Sequence, residues 1–399
     1  MDNIRREEYL DKLIAFKDTQ IIKVITGIRR CGKSTLMEMF CEHLKDCGIS
    51  DEQIIFINLE DYDNKELRNP DALHKYIKEH LVKGKMTYIF IDEVQQCKEF
   101  PEVIDSIYIK KNTDIYLTGS NAVMLSSEIA TMLTGRYVEI SMLPLSFKEY
   151  VSASDKSRRL PDMYRDYVEY GAFPYVLQLN DQPREIRDYL DSLFNTIVVK
   201  DIASRKKITD IMMLESIVRF VYDNIGNQLS TKKIADTMTS DGRKIDVKTV
   251  EKYLDALLSS FAVYKAERYN VKGKQRLKTH EKYYAVDIGL RYTLLGSQST
   301  DVGRILENIV YLELLRRGYE VYVGKIDELE VDFVAIENKR TTYYQVAATV
   351  RDNKTLEREL APLQKINDHY PKYILTLDDD PDADYNGITR TNVLEWLIS

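Results

Sequence analysis

The chain has 399 residues and a net charge of −7, with 44% hydrophobic and 30% charged residues, the balance of an ordinary folded globular protein. That length exceeds the size at which one core usually keeps growing, so several domains are expected. No run approaches 18 uninterrupted apolar residues and the start, Met-Asp-Asn-Ile-Arg-Arg-Glu-Glu, lacks the apolar centre of a signal peptide, so the expected location is cytoplasmic, with no membrane partner.

In chain order, residues 21–26 form a short β-branched run that ends in a glycine loop and leads into apolar residues at helical spacing. Further strand patterns follow at 54–58, 87–92 and 114–118, separated by helical segments such as 71–82. Strands alternating with helices imply a parallel sheet covered on both faces. After residue 145 the pattern turns helical, with a break at Gly171-Ala172-Phe173-Pro174, and reads as a helical lid. Helical segments at 212–224, 230–238 and 247–259, a strand at 261–269, a basic turn around Gly273 and a strand at 282–286 follow in the order of a winged helix. The last hundred residues run helix (304–317), three strands (320–323, 330–336, 342–346), helix (354–368) and strand (372–376), as a small α/β unit. The expected organisation is a P-loop core over 1–145, a lid over 146–208, a winged helix over 209–300 and a final α/β domain over 301–399.

Gly27-Ile28-Arg29-Arg30-Cys31-Gly32-Lys33-Ser34 satisfies G-x4-G-K-[ST] between a strand and a helix. Two glycines let backbone N–H groups close around phosphates, and the helix start adds partial positive charge. Lys33 is expected to reach the β- and γ-phosphates, Ser34 to coordinate Mg²⁺ and Thr35 to contact the α-phosphate. Residues 87–93 run as an apolar strand into Asp92 and Glu93, so Asp92 is expected on the metal and Glu93 as the group that polarises the attacking water. Ser120 and Asn121 end the next strand, as a γ-phosphate sensor or as a plain turn. Arg136 is the candidate to stabilise charge on the transferred phosphoryl group. If it acts from a neighbouring subunit, the active form is a homo-oligomer; the alternative is a surface or internally paired arginine.

Together, Gly-Ile-Arg-Arg-Cys-Gly-Lys-Ser-Thr, Phe-Ile-Asp-Glu-Val-Gln, Leu-Thr-Gly-Ser-Asn, Leu-Thr-Gly-Arg, Pro-Leu-Ser-Phe-Lys-Glu-Tyr and Gly-Ala-Phe-Pro resemble the prokaryotic AAA-type ATPases with a DUF4143 C-terminal region. The resemblance spans nearly the whole chain. It implies an AAA+/STAND-like ATPase using ATP and Mg²⁺, then a winged helix, then a module similar to the PD-(D/E)xK restriction-endonuclease fold.

Residues 204–282 hold 17 Lys/Arg against 10 Asp/Glu, a local balance of +7 that leaves −14 for the rest of the chain. In a winged helix the third helix enters the major groove and the wing touches phosphates, which nominates Lys248 and Lys252 on the helix and Arg268, Lys272, Lys274, Arg276 and Lys278 on the wing. Packing of domains or binding of a protein partner is the alternative use. In the last domain, Glu307, Asp332 and Gln345 follow the layout of a PD-(D/E)xK site, but Gln345 replaces the second acid and Ala347 stands where the lysine belongs. The expectation is a degenerate module that binds DNA or a partner.

Overall fold

The computed structural model describes residues 4–119, 133, 135–155, 157–179, 182–204, 207–296 and 301–399. The chain divides into two compact units, Met1–Pro144 with Ser259–Phe261, and Leu145–Leu258 with Ala262–Ser399.

The first unit opens with α1 (Glu7–Ala15) and continues through β1 (Ile22–Thr26), α2 (Lys33–Asp46), β2 (Ile54–Asn58), α3 (Pro70–Glu79), β3 (Thr87–Asp92), α4 (Phe100–Tyr108), β4 (Thr113–Gly119) and β5 (Tyr137–Ser141). The five strands form one sheet in the order β2-β3-β4-β1-β5. Every neighbouring pair is parallel. Strands β1, β3 and β4 are buried at every position, as parallel strands covered on both faces must be. One face packs Ile89, Ile91, Ile115 and Leu117 against Leu73 and Ile77 of α3 and Val103, Ile104 and Ile107 of α4. On the aromatic side, Phe90 and Tyr116 stack at 4.7 Å between centroids, and Phe40 of α2 lies 5.0 Å from Tyr116. Lys23 and Asp114 form a fully buried ion pair, with the Tyr116 hydroxyl donating to Asp114 Oδ2 at 2.8 Å.

The second unit begins with α5 (Phe147–Ala153), α6 (Leu160–Tyr170) and α7 (Pro183–Asn195), the last running into a π-helical stretch over Thr196–Ser204. Then come α8 (Ile211–Asp223), β6 (Gln228–Leu229), α9 (Thr231–Ser240), α10 (Val247–Ser259), β7 (Val263–Asn270), β8 (Gln275–Ala285) and α11 (Ile288–Leu295). The chain ends with α12 (Val302–Arg316), β9 (Glu320–Ile326), β10 (Leu329–Glu337), β11 (Arg340–Ala347), α13 (Asn353–Gln364), β12 (Lys372–Thr376), β13 (Ala383–Asp384), β14 (Ile388–Asn392) and α14 (Val393–Ile398).

Strand pairing and packing run across two of the expected boundaries inside this unit. The sheet is a single nine-stranded one, β13-β14-β12-β11-β10-β9-β7-β8-β6, so the hairpin expected to close a separate domain at residue 300 instead joins the last α/β layer. The join is the parallel pairing of Arg268, Tyr269 and Asn270 with Val323, Gly324 and Lys325. The segment 146–208 is likewise tied to later elements, because Asp287 accepts from the Ala172 N–H at 2.6 Å while capping α11 through Leu290 N at 2.8 Å. A side chain on Gly289 would strike the backbone of Gly171, whose own φ of +81° favours glycine.

Candidate nucleotide site and a second polar cluster

Strand β1 ends at Thr26, and the loop that follows turns back through Gly27 (φ +145°), Arg30 (φ +67°) and Gly32 (φ +104°) before α2 starts at Lys33. Gly27 is obligatory twice over: its φ lies in the left-handed region, and a Cβ there would sit 2.2 Å from the Met142 carbonyl oxygen. Gly32 caps α2 with no side-chain hydrogen bond, so the N–H groups of the first turn keep their capacity for an anion. Lys33 is buried, and its Nζ donates to the Gly27 and Ile28 carbonyls, each at 3.1 Å. Ser34 Oγ donates to Asp92 Oδ2 at 2.7 Å, bringing a hydroxyl and a carboxylate together as hard oxygen donors. Thr35 follows on α2, half-buried, and Cys31 is fully buried in the loop.

Thr118 organises the acidic side. Its hydroxyl donates to Asp92 Oδ1 and accepts from the Glu93 N–H at 3.0 Å, holding Glu93 at a φ of +52°. Glu93 in turn accepts from Gln95 Nε2. Composition around the acids gave no reason to single out Thr118; only the parallel register of β3 beside β4 does so.

Ser120 and Asn121 lie outside the described residues. Arg136 requires a correction as a group serving the phosphates of its own chain. Its carbonyl accepts from Ile22 N at 2.8 Å, at the start of β1, whereas the phosphate loop leaves the other end of that strand. Four residues of rise put these ends about 13 Å apart. Its guanidinium is engaged by Asp105 of α4 and lies 5.5 Å from the Tyr108 ring centre.

Among the basic candidates of the second unit, Lys248 and Lys252 of α10 and Lys274 in the hairpin turn are exposed. Lys272 is paired with Asp327 at 2.6 Å and Arg276 with Glu320 at 2.9 Å, acids carried by the neighbouring α/β layer. Arg268 sits inside the β7–β9 pairing. The Lys278 side chain lies outside the described residues. A pocket of about 560 Å³ is lined by Glu251 and Asp255 of α10, Glu281 and Tyr283 of β8, and Lys232 and Lys265.

The structure gathers Glu307 of α12, Asp332 of β10 and Gln345 of β11, and adds Lys282 from β8. Lys282 Nζ is 2.9 Å from Glu307 Oε1 and 2.8 Å from Glu330 Oε1. Burial works to lower the Lys282 pKa, yet Glu307, Asp332 and Glu330 hold it above the ordinary lysine value. Burial, with Glu307 close by, pushes the Asp332 carboxyl well above the carboxylate range. Asp332 Oδ2 accepts from Val346 N at 2.8 Å, and Gln345 bridges Asp332 N at 3.3 Å and Glu359 Oε2 at 2.7 Å. Among the described residues, no group of three or more His, Cys, Asp or Glu is arranged to hold a metal ion. No helix among them is long and apolar enough to cross a membrane.

Residues 19–151 match the family described as an AAA domain, and residues 161–301 match a domain of unknown function, DUF8612, a different label from the DUF4143 of the resemblance. An uncharacterized protein of Haemophilus influenzae is 39% identical over 99% of this chain and 98% of its own length. An uncharacterized protein of Methanocaldococcus jannaschii is 29% identical over 90% of this chain and 82% of its own. Among solved structures, the Aeropyrum pernix ORC1 protein in complex with DNA covers 73% of this chain and 92% of its own at 11% identity, with a TM-score of 0.32. At that level of superposition the likeness says nothing about what this chain binds.

Proposed function

Because this chain belongs to one family with the uncharacterized Haemophilus influenzae protein and carries an AAA domain over 19–151, we propose that it is a Mg²⁺-dependent ATPase working as a nucleotide-driven switch or motor. The observation that carries the reading is the Ser34 Oγ to Asp92 Oδ2 contact of 2.7 Å beside a glycine loop and an uncapped helix start. Backbone N–H groups of the loop and of α2 bind the phosphates, and Lys33 exchanges its carbonyl partners for phosphate oxygens. Ser34 and Asp92 would hold Mg²⁺, which offsets phosphate charge when bound. Glu93, oriented by Thr118, takes the proton from the attacking water.

The finer reading is action on DNA. The order α8, β6, α9, α10 and hairpin supports a winged helix, and Lys248, Lys252 and Lys274 are exposed, whereas Lys272 and Arg276 are paired with Asp327 and Glu320. The last α/β layer, with Glu307, Asp332 and Gln345 in contact range, supports a degenerate PD-(D/E)xK-like module that binds rather than cuts. A specific observation favours the second reading, a regulatory ATPase gating a protein partner: acids from α10 and β8 line the pocket on the helix that would face DNA. Steady-state ATPase with duplex, single-stranded and branched DNA separates the two. DNA action predicts stimulation lost in Lys248→Ala/Lys252→Ala/Lys274→Ala, and a binding constant that falls with salt by roughly 0.9 log units per decade for each phosphate contact. Turnover indifferent to every DNA supports the protein-partner reading.

A further inference from the structure

Arg6, just before α1, is 3% exposed, a rare depth for a guanidinium. Its Nη1 donates to the Cys31 carbonyl at 3.0 Å, and its Nη2 donates to the Leu143 carbonyl at 2.8 Å and the Pro144 carbonyl at 3.4 Å. Cys31 lies inside the phosphate loop, whereas Leu143 and Pro144 are the last residues before the chain leaves the first unit. One residue therefore grips both. Tyr9 completes the clamp: its ring centre is 5.0 Å from the guanidinium carbon, and its hydroxyl accepts from Leu143 N at 3.1 Å. The same exit stretch backs the loop from below, since Met142 N donates to Thr26 O at 2.7 Å and the Met142 carbonyl is the atom a Gly27 side chain would strike.

We propose that Arg6 is a positioning residue that couples the phosphate loop to segment 142–144, so that a change at the loop on nucleotide binding is transmitted to the chain leaving the ATPase core. The guanidinium is a rigid planar fork with donors in fixed directions, so a shift of the Cys31 carbonyl turns the same plane that holds Leu143. Lysine offers one flexible ammonium and cannot transmit such a rotation. The inference rests on the reading of the loop as an ATP site.

The test is hydrogen exchange of the loop amides and the Leu143 amide in the full-length protein, with and without Mg²⁺ and a non-hydrolysable ATP analogue, alongside steady-state kinetics. In the wild type, nucleotide slows exchange at the loop and at Leu143 together. In Arg6→Gln, saturating nucleotide still protects the loop but the response at Leu143 is lost, and kcat falls about tenfold, the factor matching one charge-assisted hydrogen bond, with KM nearly unchanged. Arg6→Lys does not restore the response. Tyr9→Phe removes the acceptor of the Leu143 amide while leaving Arg6 in place, and the same loss is expected there, which keeps the test open should Arg6→Gln not fold. A Leu143 response in these variants equal to the wild type overturns the coupling, as does a wild type whose loop is protected while Leu143 is not. A wild type whose loop amides ignore nucleotide overturns the ATP site itself, and the coupling with it.

Discussion

Thr118 is fully buried and spends its one hydroxyl on both acids of the nucleotide site. Its replacement by the near-isosteric valine leaves Asp92 Oδ1 and Glu93 N without that partner. Thr118→Val is expected to lower kcat at least about tenfold with little change in KM, since it disturbs the orientation of the acids rather than the phosphate cradle; Thr118→Ser should recover much of the loss. Lys282 is the corresponding residue of the second unit. Removing it strands Glu307 and Glu330 without their cation, so Lys282→Met is expected to destabilise the protein by about 3–5 kcal/mol, measured by chemical denaturation. Adding Glu307→Gln should return part of that; a double variant no more stable than the single one would contradict a charge-compensating role. At this scale the sequence disclosed what is encoded locally: the loop Gly27 to Ser34, and the acids Asp92 and Glu93 at the end of an apolar run. Thr118 and Arg6 stayed silent because their partners are 26, 25 and 137 positions away, brought near only by the tertiary fold. Lys282 beside Glu307 was equally illegible, since it arrives from a strand far from α12 in the sequence.

Between elements, the junction of α6 with α11 rests on Asp287. Burial pushes its carboxyl up to about 6, against the N–H bonds from Ala172, Leu290 and Gly289. A carboxyl raised in the folded state contributes stability that is complete below its unfolded value of about 4 and is lost as pH rises through about 6. Compared with Asp287→Asn, which cannot ionise, the wild type should therefore lose about 2 kcal/mol between pH 4 and pH 7. Denaturation midpoints of both proteins at the two pH values measure this, and a constant difference would contradict it. Periodicity marked most helices and strands of this region within a few residues, for example α10 and the strand at 372–376. It did not show that a helix expected in a lid would be fastened by the cap of α11, because Gly171 and Asp287 are joined by a tertiary contact with no sequence signature.

Over the whole chain, the parallel sheet of the first unit follows from its alternating strands and helices, which allow no antiparallel alternative once both faces are apolar. The nine-stranded sheet was not legible, since the few residues of β7 that meet β9 look like an ordinary hairpin arm until the register is known. That joining uses Lys272 and Arg276 in ion pairs within the unit, which is why a basic composition over 204–282 overstates the charge offered to a partner. The ATPase account stands on the site in the first unit, and phosphate release from ATP with Mg²⁺ by the wild type, Lys33→Ala and Glu93→Gln tests it most directly. The expected result is turnover by the wild type, loss of nucleotide binding in Lys33→Ala, and in Glu93→Gln retained binding with hydrolysis slowed by a factor of about 10² or more. A wild type without turnover, or a Glu93→Gln protein that hydrolyses ATP at the wild-type rate, would contradict it.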